Sequence, residues 1–175
     1  LYLRDGLYSI FNSELYYHGI LMVRIGVISD THARHFSQLP RELVRALGTV
    51  DMIVHAGDIV TMDVIQGLQT LAPVHGVCGN MDLPEVRVSL PQQQLIEVEG
   101  KKIGIVHGSG GPAGLESRVK QLFPGADAVI FGHSHMPTNL TMEGVLLFNP
   151  GRADESYGVL EVGEEISGKI VRAYY

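Results

Sequence analysis

The sequence predicts an α/β protein in which two mixed β-sheets pack face to face with helices outside. Three observations lead there. Residues 23–78 alternate between apolar strand-like runs and helix-spaced apolar patterns, the rhythm of strands joined by crossover helices. Residues 94–173 instead carry several short strand patterns with one tight hairpin turn. Finally, no internal repeat or linker divides the chain, and 45% hydrophobic against 18% charged residues in a chain of 175 marks one folded domain with a sizeable core.

The elements follow in order. Val23 to Ile28 is an unbroken apolar run, the pattern of a buried strand. Leu39, Leu43, Val44 and Leu47 have helical spacing over Pro40 to Leu47, and Gly48 stops that helix. Asp51 to His55 is a second strand. Val64, Ile65, Leu68 and Leu71 form the apolar stripe of a second helix over Asp63 to Leu71, and Pro73 to Cys78 is a third strand. Gln94 to Val98 and Lys102 to Val106 flank Glu99-Gly100-Lys101, a hairpin turn. Leu115 to Phe123 is a third helix, closed by Pro124-Gly125. Ala128 to Phe131, Thr138 to Met142, Val145 to Phe148, Gly158 to Val162 and Ile166 to Ala173 complete the strands.

The domain is expected over residues 22–175. Residues 1–21 precede the first Met, Met22, and carry Tyr2, Tyr8, Phe11, Tyr16 and Tyr17. They read either as an extension outside the domain or as a short helix or arm packed on it or on a second subunit. That arm and the apolar C-terminal strands suit a homodimer. A formal net charge of −6 argues against extended nucleic-acid binding, which needs a basic face. No apolar run approaches the roughly 18 residues of a membrane span, so no membrane partner is expected. The single cysteine, Cys78, can form neither an internal disulfide nor a thiolate metal site, and fits a cytoplasmic location.

Five strands are followed by polar clusters: Ser29-Asp30-Thr31-His32, Gly57-Asp58, Gly79-Asn80-Met81-Asp82, His107-Gly108 and Gly132-His133-Ser134-His135. Ligands of α/β sheets gather beyond the carboxyl ends of strands. Asp, His and Asn are the donors that suit Mn²⁺, Fe²⁺, Zn²⁺ or Ni²⁺. The spacings Asp30-x-His32 and His133-x-His135 would put paired donors on one side of an extended segment. The glycines before Asp58, Asn80 and His133 permit sharp turns or close approach. Seven donors exceed one metal site, so two ions sharing a carboxylate is the economical reading.

The ordered motifs D-x-H, G-D, G-N-x-D, H-G and G-H-x-H resemble the calcineurin-like metallophosphoesterase superfamily, and in particular its small YfcE-type phosphodiesterases with a Vps29-like fold. The resemblance covers about Met22 to Val162. It implies an α/β sandwich and two divalent ions, Mn²⁺ first, with Fe, Zn or Ni also suited. One ion would take Asp30, His32, Asp58 and His135; the other Asp58, Asn80, His107 and His133, with Asp58 bridging. It further implies a hydroxide between the metals for in-line attack on phosphorus, with Asp58, Asn80 and His133 as catalytic residues and a small phosphodiester as substrate. Asn80, Arg152 and His35 are the candidate substrate contacts, Arg152 following an N-P-G turn at Asn149.

Two departures narrow the expectation. Met81 stands where many members of the superfamily carry a His resembling a general acid, which favours diesters with good leaving groups. Ala33-Arg34 stands where Gly-Asn is common. The alternative reading is a non-catalytic scaffold resembling Vps29, against which the complete set of seven donors counts. The bland readings are a cap or turn for Asp30, Asp58 and Asn80 and a packed core histidine for His107; His55 and His75 read as structural. Asp82 reads as a residue that orients a loop.

Overall fold

The computed structural model describes residues 22–172; the aromatic stretch at residues 1–21 lies outside them. Three strands, β1 (Val23–Ile28), β2 (Met52–His55) and β3 (Val74–Gly76), run parallel, joined by α1 (Arg41–Leu47) and α2 (Met62–Gln69). After α3 (Pro84–Ser89), the hairpin β4 (Gln93–Val98) and β5 (Lys101–Val106) opens a second sheet. It continues through α4 (Leu115–Gln121), β6 (Ala128–Ile130), β7 (Thr138–Met142) and β8 (Val145–Asn149). The chain then returns to the first sheet as β9 (Ser156–Val162) and β10 (Ile166–Arg172). The two five-stranded orders are β10-β9-β1-β2-β3 and β4-β5-β6-β8-β7.

Side-chain alternation explains the layers. Ile25, Val27, Val54 and Leu160 of one sheet meet Ile103, Ile105, Ile130 and Phe148 of the other in a central core, the face-to-face packing of two sheets. The opposite face of the first sheet, through Ile28 and Ile53, buries Leu43 and Leu47 of α1, Val64 and Leu68 of α2 and Val86 of α3. Val106, Val129 and Leu147 of the second sheet cover Leu115 and Val119 of α4. The expected fold class is the observed one.

The hairpin turn has φ of 49° at Glu99 and 73° at Gly100, the left-handed pair of a two-residue turn. One helix escaped the sequence reading. α3 is six residues long and buries only Val86, too short for a periodic stripe, although Pro84 at its first position and Glu85 in its first turn are start signals. A single 3-10 turn at Phe36–Gln38 was also not anticipated.

Candidate metal centre

β1, β2 and β3 share a direction, as do β5, β6 and β8, so their carboxyl ends face one edge of the sandwich. Backbone bonds extend the ladders into the loops: Asp30 N–H to Gly57 O (3.0 Å), His32 N–H to Asp58 O (3.1 Å) and Gly132 N–H to His107 O (3.0 Å). Residues more than a hundred positions apart in sequence are thereby brought into contact, as when His133 N–H donates to Asp30 Oδ2 at 3.2 Å.

The site is graded from deep to open. Asp30, Asp58 and His107 are buried, while His32 and His135 are exposed at its mouth. Potential ligand atoms fall into two groups, Asp30 with His32 and His135, and Asp30 with Asp58 and His107. Asp30 belongs to both groups, and Asp58 lies with it beside His107. His135 Nε2 lies 3.3 Å from Asp30 Oδ1. His107 Nε2 lies 3.3 Å from Asp58 Oδ2 and 3.9 Å from Asp30 Oδ1.

One expectation about local geometry is corrected. Asp30, His32, Asp58, His133 and His135 are not in extended segments; their φ values are 53°, 46°, 55°, 69° and 59°. The D-x-H and H-x-H donors pair because left-handed turns aim them, not because strand side chains alternate. Such conformations cost about 1–3 kcal/mol each and cluster at functional sites. The close-approach reading of the glycines holds. A Cβ at Gly79 would lie 2.2 Å from Asp58 Oδ1, and one at Gly132 would lie 1.9 Å from Ser29 Oγ.

The buried atoms test whether cations fit. Asp30 Oδ1 and His107 Nε2 are buried without a hydrogen-bond partner. His107 Nδ1–H donates to Ala56 O at 2.8 Å, which turns Nε2 toward two carboxylates. In the same way His133 Nε2–H donates to Gly110 O at 2.9 Å, leaving Nδ1 3.0 Å from Asn80 Oδ1. Two donors about 2.1 Å from one ion and at right angles to each other sit about 3.0 Å apart. Carboxylate oxygens, an amide oxygen and imidazole nitrogens converging at these distances are a donor set that suits a divalent cation, so the residues fit metal.

The charges respond to this crowding. Burial opposes ionisation of Asp58, but the His107 ring and the Met81 N–H (2.8 Å) more than offset it and hold its pKa below the ordinary value. Burial lowers His107, yet Asp58 and Asp30 outweigh that and raise it. His55, fully buried and near His107, is pushed down to about 3 and stays neutral. It meets Thr31 Oγ1 at 3.1 Å and is structural, as expected. His75, half-buried, meets Gln94.

The supporting residues were the least legible. Asp82 accepts from Val60 N–H (2.6 Å) and Gly79 N–H (2.7 Å), fastening the Asp58 and Asn80 loops together, the orienting role expected for it. Ser29 donates to Asp30 Oδ2 at 2.7 Å. Asn149, wholly buried, donates to Gly132 O and Ser134 Oγ (both 3.0 Å), holding the His133–His135 loop; the N-P-G turn was its only sequence signal. Arg152 follows that turn. The Ala153 N–H bond to Ser29 O places it beside the Asp30 loop, but its Nη2 pairs with Asp154 Oδ2 at 2.8 Å. His35 precedes the 3-10 turn, largely exposed, 3.9 Å from Asp63 Oδ2, and bonds to none of the clustered donors among the described residues. Met81 is 57% exposed beside Asn80.

Residues 23–164 match the model of the calcineurin-like phosphoesterase superfamily domain. The chain belongs to that superfamily. A probable metallophosphoesterase of Methanothermobacter thermautotrophicus is 38% identical over 158 residues, 85% of this chain and 91% of that protein. A Thermotoga maritima protein solved by NMR is 35% identical with a TM-score of 0.69, the match covering 86% of this phosphoesterase chain and 99% of the other. An archaeal phosphodiesterase is 25% identical with a TM-score of 0.71, covering 86% and 99%. Vps29 of Cryptosporidium parvum shares the fold at 18% identity, TM-score 0.69, covering 88% and 99%. Membership carries phosphoester hydrolysis with divalent metals as the family's chemistry. Among the described residues no helix is long and apolar enough to cross a membrane.

Proposed function

We propose that this phosphoesterase is a metal-dependent phosphodiesterase acting on small diesters with good leaving groups. The observation that carries the reading is the convergence of buried Asp30, Asp58 and His107, with His107 Nε2 3.3 Å from Asp58 Oδ2 and 3.9 Å from Asp30 Oδ1. Burying two carboxylates and an imidazole together is costly unless a cation joins them, which supports a metal-loaded site over a bare scaffold surface. Asp30, His32, Asp58, Asn80, His107, His133 and His135 are the residues that would hold two divalent ions, Mn²⁺ being our choice. When bound, the ions supply Lewis acidity, which generates a hydroxide nucleophile at neutral pH and neutralises charge on the phosphoryl oxygens.

The chain's own residues do the rest. Asp82, Ser29 and Asn149 fix the loops, so that donors are in place before substrate arrives. The Asn80 amide is exposed at the cleft and can donate to a nonbridging phosphoryl oxygen. Met81 occupies the position next to Asn80 and has no proton to give, so the leaving oxygen must depart as a stable anion or take its proton from water. This favours aryl and nucleoside leaving groups over alkyl monoesters.

The test is hydrolysis of bis-p-nitrophenyl phosphate with added Mn²⁺. Activity abolished by Asp58→Ala or His133→Ala is the expected result, with about two ions per chain by elemental analysis. Metal-replete protein without hydrolysis above background, or less than one ion per chain, refutes the reading.

A further inference from the structure

A cleft of 710 Å³ opens directly from Asn80 and His107 and runs toward α4. That volume lies in the range of sites that enclose a drug-sized ligand. Its floor is apolar, formed by Val106, Leu115 and Val119. Its walls carry two guanidinium groups, Arg87 from α3 and Arg118 from α4, and no Asp or Glu lines it, although the chain as a whole has a formal net charge of −6.

Both arginines are held in place by backbone carbonyls. Arg87 Nε donates to Asp82 O (2.8 Å) and its Nη2 to Asn80 O (2.5 Å). Arg118 Nη1 donates to Ala113 O (2.8 Å), and its Nη2 to Ser109 O (3.1 Å) and Gly111 O. Neutral carbonyls fix the geometry of these side chains without cancelling their charge. Among the described residues, neither guanidinium is within salt-bridge distance of a carboxylate; the pairs formed by other cations are Lys120–Glu143 and Arg152–Asp154. The bonds above leave Arg87 Nη1 and Arg118 Nε with protons to offer. Two oriented, uncompensated guanidiniums in one cleft form an anion-recognition pair.

We infer that this cleft binds the part of the substrate beyond the scissile phosphorus, and that this part carries a second phosphate group on an uncharged organic body, as in a dinucleotide with a terminal phosphate. The apolar floor takes the body, and Arg87 and Arg118 take the second phosphate. The inference rests on the phosphodiesterase reading for its purpose but not for its test, because the cleft is formed by protein alone.

The test therefore uses metal-free full-length protein and calorimetric titration with thymidine 3′,5′-bisphosphate and with thymidine. Wild type should prefer the bisphosphate by at least about tenfold, the size of one charge-assisted hydrogen bond. In Arg87→Met and Arg118→Met that ratio should fall by about tenfold each, while Arg118→Lys retains part of it. The ratio separates charge recognition from a general loosening of the loops these arginines hold, which would weaken both ligands together. If either variant fails to fold, the wild-type ratio should still collapse between low salt and 1 M salt. A wild-type ratio near one, a ratio indifferent to salt, or folded Met variants that keep it overturns the inference. Failure of bis-p-nitrophenyl phosphate hydrolysis would instead remove the enzymatic reading and leave the binding result standing.

Discussion

Replacing Asp82 by Ala should damage the proposed metal centre without touching any of its proposed ligands. The buried carboxylate receives two backbone N–H groups, from Val60 at 2.6 Å and Gly79 at 2.7 Å. Bonds to a charged acceptor contribute about 1.5–3 kcal/mol each, so both together amount to about 3–6 kcal/mol. Val60 adds to this dependence. It is β-branched at φ 86°, a conformation that costs about 1–3 kcal/mol and persists only when its surroundings impose it. Without Asp82 the Val60 turn can relax, carrying Asp58 with it and uncoupling Gly79 from its close seat against Asp58. Asp82→Ala should therefore lose about 3–5 kcal/mol in urea unfolding of the metal-free protein, read as a shift of midpoint at unchanged m. Metal affinity, by titration calorimetry, should fall about 10–100-fold, the usual effect of removing a group that orients ligands. Asp82→Asn keeps one acceptor and should lose about half as much stability. An Asp82→Ala protein within about 1 kcal/mol of wild type, with metal affinity intact, would refute the clamp.

Three further outcomes follow from the same geometry. Gly132→Ala places a Cβ 1.9 Å from Ser29 Oγ and should lose about 1–3 kcal/mol by overpacking; adding Ser29→Ala should restore part of it, since Asp30 Oδ2 and Ala56 O still crowd the Cβ. His55 titrates near 3 in the fold against about 6.5 when unfolded, so only the unfolded chain takes up this proton between those values and the fold loses stability as pH falls through that window. From pH 7 to pH 5 this comes to about 2 kcal/mol, so in metal-free protein the loss measured by urea unfolding should be smaller by that amount in His55→Gln. Met81→His, at a 57% exposed position, should leave stability nearly unchanged. It should raise turnover of diesters with alkyl leaving groups at least about tenfold while changing p-nitrophenyl esters little, as paired kinetic assays would show.

The sequence by itself determined which loops carry the clustered donors and what chemistry those donors offer. Parallel strands joined by helices place their carboxyl ends on one edge, so Asp30, Asp58 and Asn80 could be assigned to a shared edge from their positions after apolar runs. His107 and His133 follow from the second sheet in the same way, and donor chemistry is a property of residue type. The glycines before Asp58, Asn80 and His133 were legible for a similar reason, since a residue without a Cβ permits a sharp turn or a close approach wherever it stands.

Only the tertiary structure decided how the donors are aimed and what supports them. Left-handed backbone at five of the seven donors is imposed by bonds between loops far apart in the chain, and no local propensity announces it. That Asp30 is common to both ligand groups, and that Ser29, Asp82 and Asn149 brace the loops, depends on distances across two sheets. The cleft with Arg87 and Arg118 needs α3, too short to show a period, and α4 to meet at the same opening. Side-chain chemistry is carried by each residue alone, whereas orientation belongs to contacts made only after the sandwich has closed.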